Sequence, residues 1–162
     1  MKTNGVLLDT SFFLRFLNEE DNLFKNANDY YKYFLNNDFY LVISTIAIAE
    51  YCAGGNIDEL PLKNIRILPF NVNHAIRTGE FAKLLFKERK SGQLDIKERN
   101  IIPNDSKLFA QADVEVEIKY FVTSDTNTLT VLKSLNENFS LKFETIDINI
   151  RHSDYFGILD FK

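Results

Sequence analysis

The sequence predicts an α/β fold with a central, mainly parallel five-stranded sheet flanked by helices. Apolar runs of strand length alternate with helix-period segments from one end to the other. Those runs are continuously apolar rather than alternating, as strands covered on both faces are. Two of them, VLLD and FVTSD, end on a carboxylate (Asp9 and Asp125), and open parallel sheets form their sites at the carboxyl ends of strands.

The first strand is read at Val6 to Asp9, and TSFFLRFL opens a short helix with Thr10 or Ser11 as its cap. Asp21 to Leu35 is a second helix, with Leu23, Phe24, Ala27, Tyr31 and Phe34 at helical spacing. YLVIS (Tyr40 to Ser44) is the second strand. STIAIAEYCAGG is a helix with a Ser-Thr start, stopped by Gly54 and Gly55. IRILPF is the third strand. NVNHAIRTGEFAKLLFKERKSG is a long helix whose packed face is expected to hold Ala75, Ile76, Gly79, Ala82, Leu85 and Phe86. Gly79 costs about 1 kcal/mol in a helix interior, so close packing is expected there. Gly92 to Ile102 reads as a polar connector. Asn104 to about Glu117 is a helix packing through Leu108, Phe109, Ala112 and Val116. YFVTSD is the fourth strand, TNTLTVLKSLNENF a helix, and FETIDI the fifth strand.

The 162 residues, 45% of them apolar, suit one globular domain over 1–150 with a C-terminal tail over 151–162. The lone Cys52 rules out an internal disulfide framework and fits a reducing compartment. MKTNGVLLDTSFF does not read as a signal peptide, and no apolar run is long enough to span a bilayer. The expectation is a cytoplasmic protein with no membrane association. A net charge of −4 argues against nucleic-acid binding driven by overall charge. An acidic cluster whose charge metal ions offset would contribute to such a balance.

The acids form a candidate constellation. If the first and fourth strands are neighbours, Asp9 and Asp125 lie side by side. The helix before the fourth strand runs antiparallel to the strands, so Asp105, read in its first turn, reaches the same edge with the dipole favouring its ionised form. Glu50 lies about 9 Å along its helix from Ser44 at roughly 1.5 Å per residue, and joins them if that helix tilts across the site. Two carboxylates about 4 Å apart repel by about 4 kcal/mol at an effective dielectric of about 20. A hard divalent cation, Mg²⁺ or Mn²⁺, would relieve that repulsion with an all-oxygen ligand set. His74, His152 and Cys52 are too scattered to make a zinc site.

LLDTSFFLRFL, ISTIAIAEYCAG, LPFNVNHA and NDSKLFAQADVEVEIKYFVTSDTN, in that set, resemble the PIN-domain family, in the branch that includes VapC-like toxins of toxin–antitoxin pairs. The resemblance runs over nearly the whole chain. Its more specific parts are T-x-D at a strand end and D-x-x-x-x-A-x-A before it. It implies a single PIN-like domain and a metal-dependent endoribonuclease that hydrolyses RNA phosphodiester bonds, with Asp9, Glu50, Asp105 and Asp125 as the acidic quartet holding Mg²⁺ or Mn²⁺. It also implies supporting or substrate-side roles for Thr10, Ser11, Thr123 and Asn127, a small antitoxin partner and a homodimer. The chain departs from the family after T-x-D, where TNTL replaces a frequent aromatic.

Blander roles exist for each acid. Asp9 and Asp125 could cap helices, Asp105 could be an ordinary first-turn acid, and Glu50 needs solvent or a partner. Lys83, Lys87 and Lys90 share a helical stripe whose default is a solvated face, although they could track a phosphate backbone. A haloacid-dehalogenase-like enzyme would need D-x-D where this chain has D-T-S. A receiver domain would need an acid after the third strand, where IRILPF has none. The remaining alternatives are a catalytically silent PIN-like module that binds RNA or protein, and an RNA-processing nuclease that is not a toxin.

Overall fold

The three central apolar runs form strands that the fold buries, while the edge strands keep exposed positions. β1 (Gly5–Leu8) is buried at every position, and β2 (Tyr40–Ser44) and β4 (Ile118–Thr123) nearly so. The computed structural model describes residues 4–96 and 101–159. With β3 (Ile65–Leu68) and β5 (Glu144–Asp147), these strands make one sheet in the order β3-β2-β1-β4-β5. Every pairing is parallel. The chain moves outward from β1 to β3, then returns to lay β4 against the other side of β1. That reversal puts a switch point between the ends of β1 and β4. Gly5 permits this join, since a Cβ there would lie 2.9 Å from the Glu117 carbonyl oxygen and from the Tyr40 hydroxyl.

Helices cover both faces, as parallel crossovers require. They are α1 (Thr10–Phe16), α2 (Phe24–Asn36), α3 (Thr45–Cys52), α4 (Val72–Ser91), α5 (Ile101–Val114), α6 (Thr126–Asn138) and α7 (His152–Phe156). Aromatic side chains fill much of the core. Phe12, Phe13, Phe34, Phe81, Phe109 and Phe121 are fully buried, and the Phe109 and Phe121 rings meet edge-on at 5.3 Å. Among the described residues no helix is long and apolar enough to cross a membrane.

Several local expectations are corrected. α2 begins at Phe24, because Asp21 turns the chain instead, accepting from Leu23 N at 2.8 Å and from Arg15. α5 begins at Ile101 rather than Asn104, with Pro103 in its first turn, where no intrahelical N–H is needed. Asp105 therefore lies in the second turn. Val116 falls after the helix and is exposed, and Leu94 and Ile96 of the supposedly polar connector are buried. The face of α4 is also rotated from its expected position. His74, Phe81 and Leu85 point inward, Ala75, Ile76 and Gly79 face solvent, and a Cβ on Gly79 would meet nothing within 4 Å. The cause is His74, whose Nδ1 closes a capping box with Asn71 and whose Nε2 lies 2.7 Å from Glu115. Gly92, at φ +80°, ends α4 in the left-handed conformation that glycine favours. Within the segment expected as a tail, His152–Phe156 form α7, and Phe156 stacks on Tyr33 of α2 at 4.2 Å.

Candidate active site

β1 stops at Asp9 because the carboxylate takes over from the strand. Asp9 N still donates to Val122 O of β4 at 3.1 Å, while Oδ1 accepts from Phe12 N at 2.9 Å and caps α1. The same oxygen accepts from the Ser11 hydroxyl at 2.6 Å. Ser11 and Thr123 hydroxyls are 3.2 Å apart, and Ser11 Oγ also accepts from Ser124 N at 2.8 Å. These bonds weld the end of β1 to the end of β4. Asp125 lies two residues past β4 and caps α6, accepting from Asn127 N at 2.8 Å, while its own N–H donates to Thr123 Oγ1 at 3.1 Å. The capping roles of Asp9 and Asp125 are therefore real.

Asp105 comes in from α5, and its Oδ2 accepts from the Thr128 hydroxyl of α6 at 3.1 Å. Glu50 comes in from the second half of α3, where the Thr10 hydroxyl of α1 donates to its Oε2. Glu50 is exposed, so solvent and Thr10 together satisfy it within an otherwise apolar helix.

The four acids reach the carboxyl edge of the central strands from four different parts of the chain, and their charges act on one another. Burial pushes the Asp105 carboxyl up to about 7, and the charges of Asp125, Asp9 and Glu50 push it further in the same direction, against the Thr128 hydrogen bond. Burial likewise pushes Asp9 up to about 6, opposed by hydrogen bonds from Ser11, Thr123 and Phe12 and assisted by the charge of Asp125. None of the ion pairs formed among the described residues includes any of these acids.

Among the described residues, no cluster of three or more His, Cys, Asp or Glu side chains is arranged to hold a metal ion as it stands. Each carboxylate bonds to a hydroxyl or backbone donor: Asp9 to Ser11 and Phe12 N, Glu50 to Thr10, Asp105 to Thr128 and Asp125 to Asn127 N. The donor set itself, all oxygen, has the chemistry of a hard divalent cation site.

Of the expected supporting residues, Thr10, Ser11 and Thr123 bond as described. Asn127 contributes its backbone N–H. Thr128 was not anticipated, although its position three residues after the Asp125 cap places it on the first turn of α6, facing α5. Lys83, Lys87 and Lys90 are exposed on α4. Beside the quartet, a cleft of about 570 Å³ opens between α1, the residues after β4 and those after β5.

No protein-family model matches the sequence, and no curated protein does. Solved structures match in fold. A chain of VapBC2 from Rickettsia felis, solved bound to a DNA fragment from its promoter, aligns with a TM-score of 0.58 and 19% identity, over 88% of this chain and 99% of that one. A chain of DNA-bound VapBC from Salmonella typhimurium aligns with a TM-score of 0.53 and 17% identity, over 90% and 98%. These likenesses show a PIN-like fold shared almost end to end.

Proposed function

We propose that this PIN-like chain is a metal-dependent endoribonuclease that hydrolyses RNA phosphodiester bonds, and that it is the toxin of a type II toxin–antitoxin pair. One observation carries the enzymatic reading: Asp105, largely buried, feels the charges of Asp9, Glu50 and Asp125 together. A fold spends stability on such repulsion where a ligand relieves it. The toxin reading is supported by fold likeness to chains of VapBC complexes. It brings with it a small antitoxin and a homodimer.

Asp9, Glu50, Asp105 and Asp125 would hold Mg²⁺ or Mn²⁺, which supplies positive charge against the phosphate and eases deprotonation of the attacking water. The protein does the positioning. Ser11 and Phe12 N hold Asp9, Thr128 holds Asp105, Thr10 holds Glu50, and Asn127 N with Thr123 holds the Asp125 segment.

The test is cleavage of a mixed RNA pool, with Mn²⁺ or Mg²⁺, by wild type and Asp9→Asn. Asparagine keeps the helix cap but loses the charge, so cleavage is expected to fall by about 100-fold or more, which is about 2.7 kcal/mol in the barrier. Folded wild type that cleaves nothing with either ion would overturn the nuclease reading. A silent module would remain, for which capping is all that Asp9 and Asp125 need to do. Co-expression with the product of an adjacent small gene tests the toxin role: suppression of cleavage is expected, and undiminished cleavage points to a processing enzyme.

A further inference from the structure

Arg15 is the only cation among the described residues lining the cleft beside the quartet. Its helix, α1, is the one that Asp9 caps, so the same short helix carries both groups, one at its start and one in its last turn. Arg15 Nη1 donates to Asp21 Oδ2 at 2.7 Å. Asp21 is held in turn by Leu23 N, and its carboxyl lies below its usual range, chiefly because of the bond from Arg15. A guanidinium has five N–H donors, and this pairing uses one. The side chain remains 41% exposed, with its other donors free to meet a ligand in the cleft. Asp125 also lines the cleft, and Leu14, 56% exposed, offers an apolar patch beside Arg15. Asn149 spends its amide hydrogens on Ser124 O and Asp147 Oδ1, which leaves its carbonyl oxygen as an acceptor. A cation, an apolar patch and an acceptor side by side match the phosphate, the ring faces and the polar edge of one nucleotide.

We propose that this cleft binds the nucleotide flanking the scissile bond, with Arg15 holding its phosphate and Asp21 orienting the guanidinium. The inference rests on the nuclease reading for the position of the scissile bond, but not for binding itself. A purely structural Arg15 would only pin the turn after α1, and an exposed pair of this kind adds little to stability.

The experiment compares wild type, Arg15→Gln and Arg15→Lys. Binding of a short fluorescent single-stranded RNA is followed by anisotropy across a salt series, with Ca²⁺ in place of Mg²⁺ to hold turnover back. Cleavage kinetics are then measured with Mn²⁺, and melting temperatures are taken alongside. For Arg15→Gln, affinity is expected to fall and KM to rise by about tenfold with kcat within about twofold, and the salt slope to drop by about one. Arg15→Lys should keep the slope and recover only part of the affinity, because lysine lacks the planar fork. Unchanged affinity and slope in a folded Arg15→Gln protein would overturn the inference. If that variant melts too low, Arg15→Lys decides: an unchanged KM overturns it. RNA binding that depends on Arg15 without any cleavage would support this site and remove the nuclease reading. Cleavage with binding indifferent to Arg15 would do the reverse.

Discussion

Asp9 and Asp105 hold protons to higher pH than the same residues would in an unfolded chain, at about 6 and about 7 against an ordinary 3.8, mainly because burial disfavours their charge. Between 3.8 and about 7 the folded state therefore binds more protons than the unfolded one, so stability falls as pH rises through that window. Metal-free protein is expected to unfold at higher urea at about pH 5 than at about pH 8. Added Mn²⁺ should flatten that dependence, because the ion competes with the protons. Asp21 works in the opposite sense: its lowered value stabilises the fold above 3.8 and is lost in acid. A metal-free profile that climbs steadily with pH would contradict the repulsive quartet. Asp9, Glu50 and Asp125 were legible from strand ends and an acid in an apolar helix. Thr128 was not, because its partner Asp105 is 23 residues away and on another helix.

The paired helices α4 and α5 show what element-level reading misses. Apolar periodicity assigned α4 a face through Ala75, Ile76 and Gly79, yet polar groups set the true one. His74 is buried against Glu115, and Arg77 bridges to buried Asp113 at 2.8 Å while its guanidinium lies 4.5 Å from the Phe81 ring centroid. A hydrophobicity pattern cannot register helices that are aligned by polar side-chain pairs. Arg77→Met is expected to destabilise by about 3 kcal/mol, because it leaves the Asp113 charge buried with a single donor, Lys142 N. Adding Asp113→Asn should recover more than about 1 kcal/mol of that, a coupling readable from a double-mutant cycle in urea. Additive effects would mean that the bridge does not set this packing. The start of α5 was misplaced for a related reason: Pro103 reads as a boundary in sequence but is tolerated in a first turn.

At the scale of the molecule, a net charge of −4 coexists with a proposed polyanionic substrate. The quartet accounts for four of the acids, so an ion bound there would change both the local field and the stability of the whole domain. A ligand at about 100 times its Kd stabilises by about 2.7 kcal/mol, which for a domain of this size raises Tm by roughly 5–10 °C. Saturating Mg²⁺ or Mn²⁺ should produce such a rise in wild type and much less in Asp9→Asn, followed by calorimetry. Equal rises in both would place the ion elsewhere.

By itself the sequence determined the elements: five apolar runs, the helices between them and the carboxylates at two strand ends. These are local properties, since a continuous apolar run favours burial and a carboxylate marks where it ends. Tertiary structure decided which ends meet. Placing β4 beside β1 rather than beside β3 is a long-range choice made by packing, and it brings Asp125 to Asp9 and allows α5 to deliver Asp105. The same choice brings Arg15 and Asp125 to one cleft, a relation between residues 110 positions apart that no local pattern encodes.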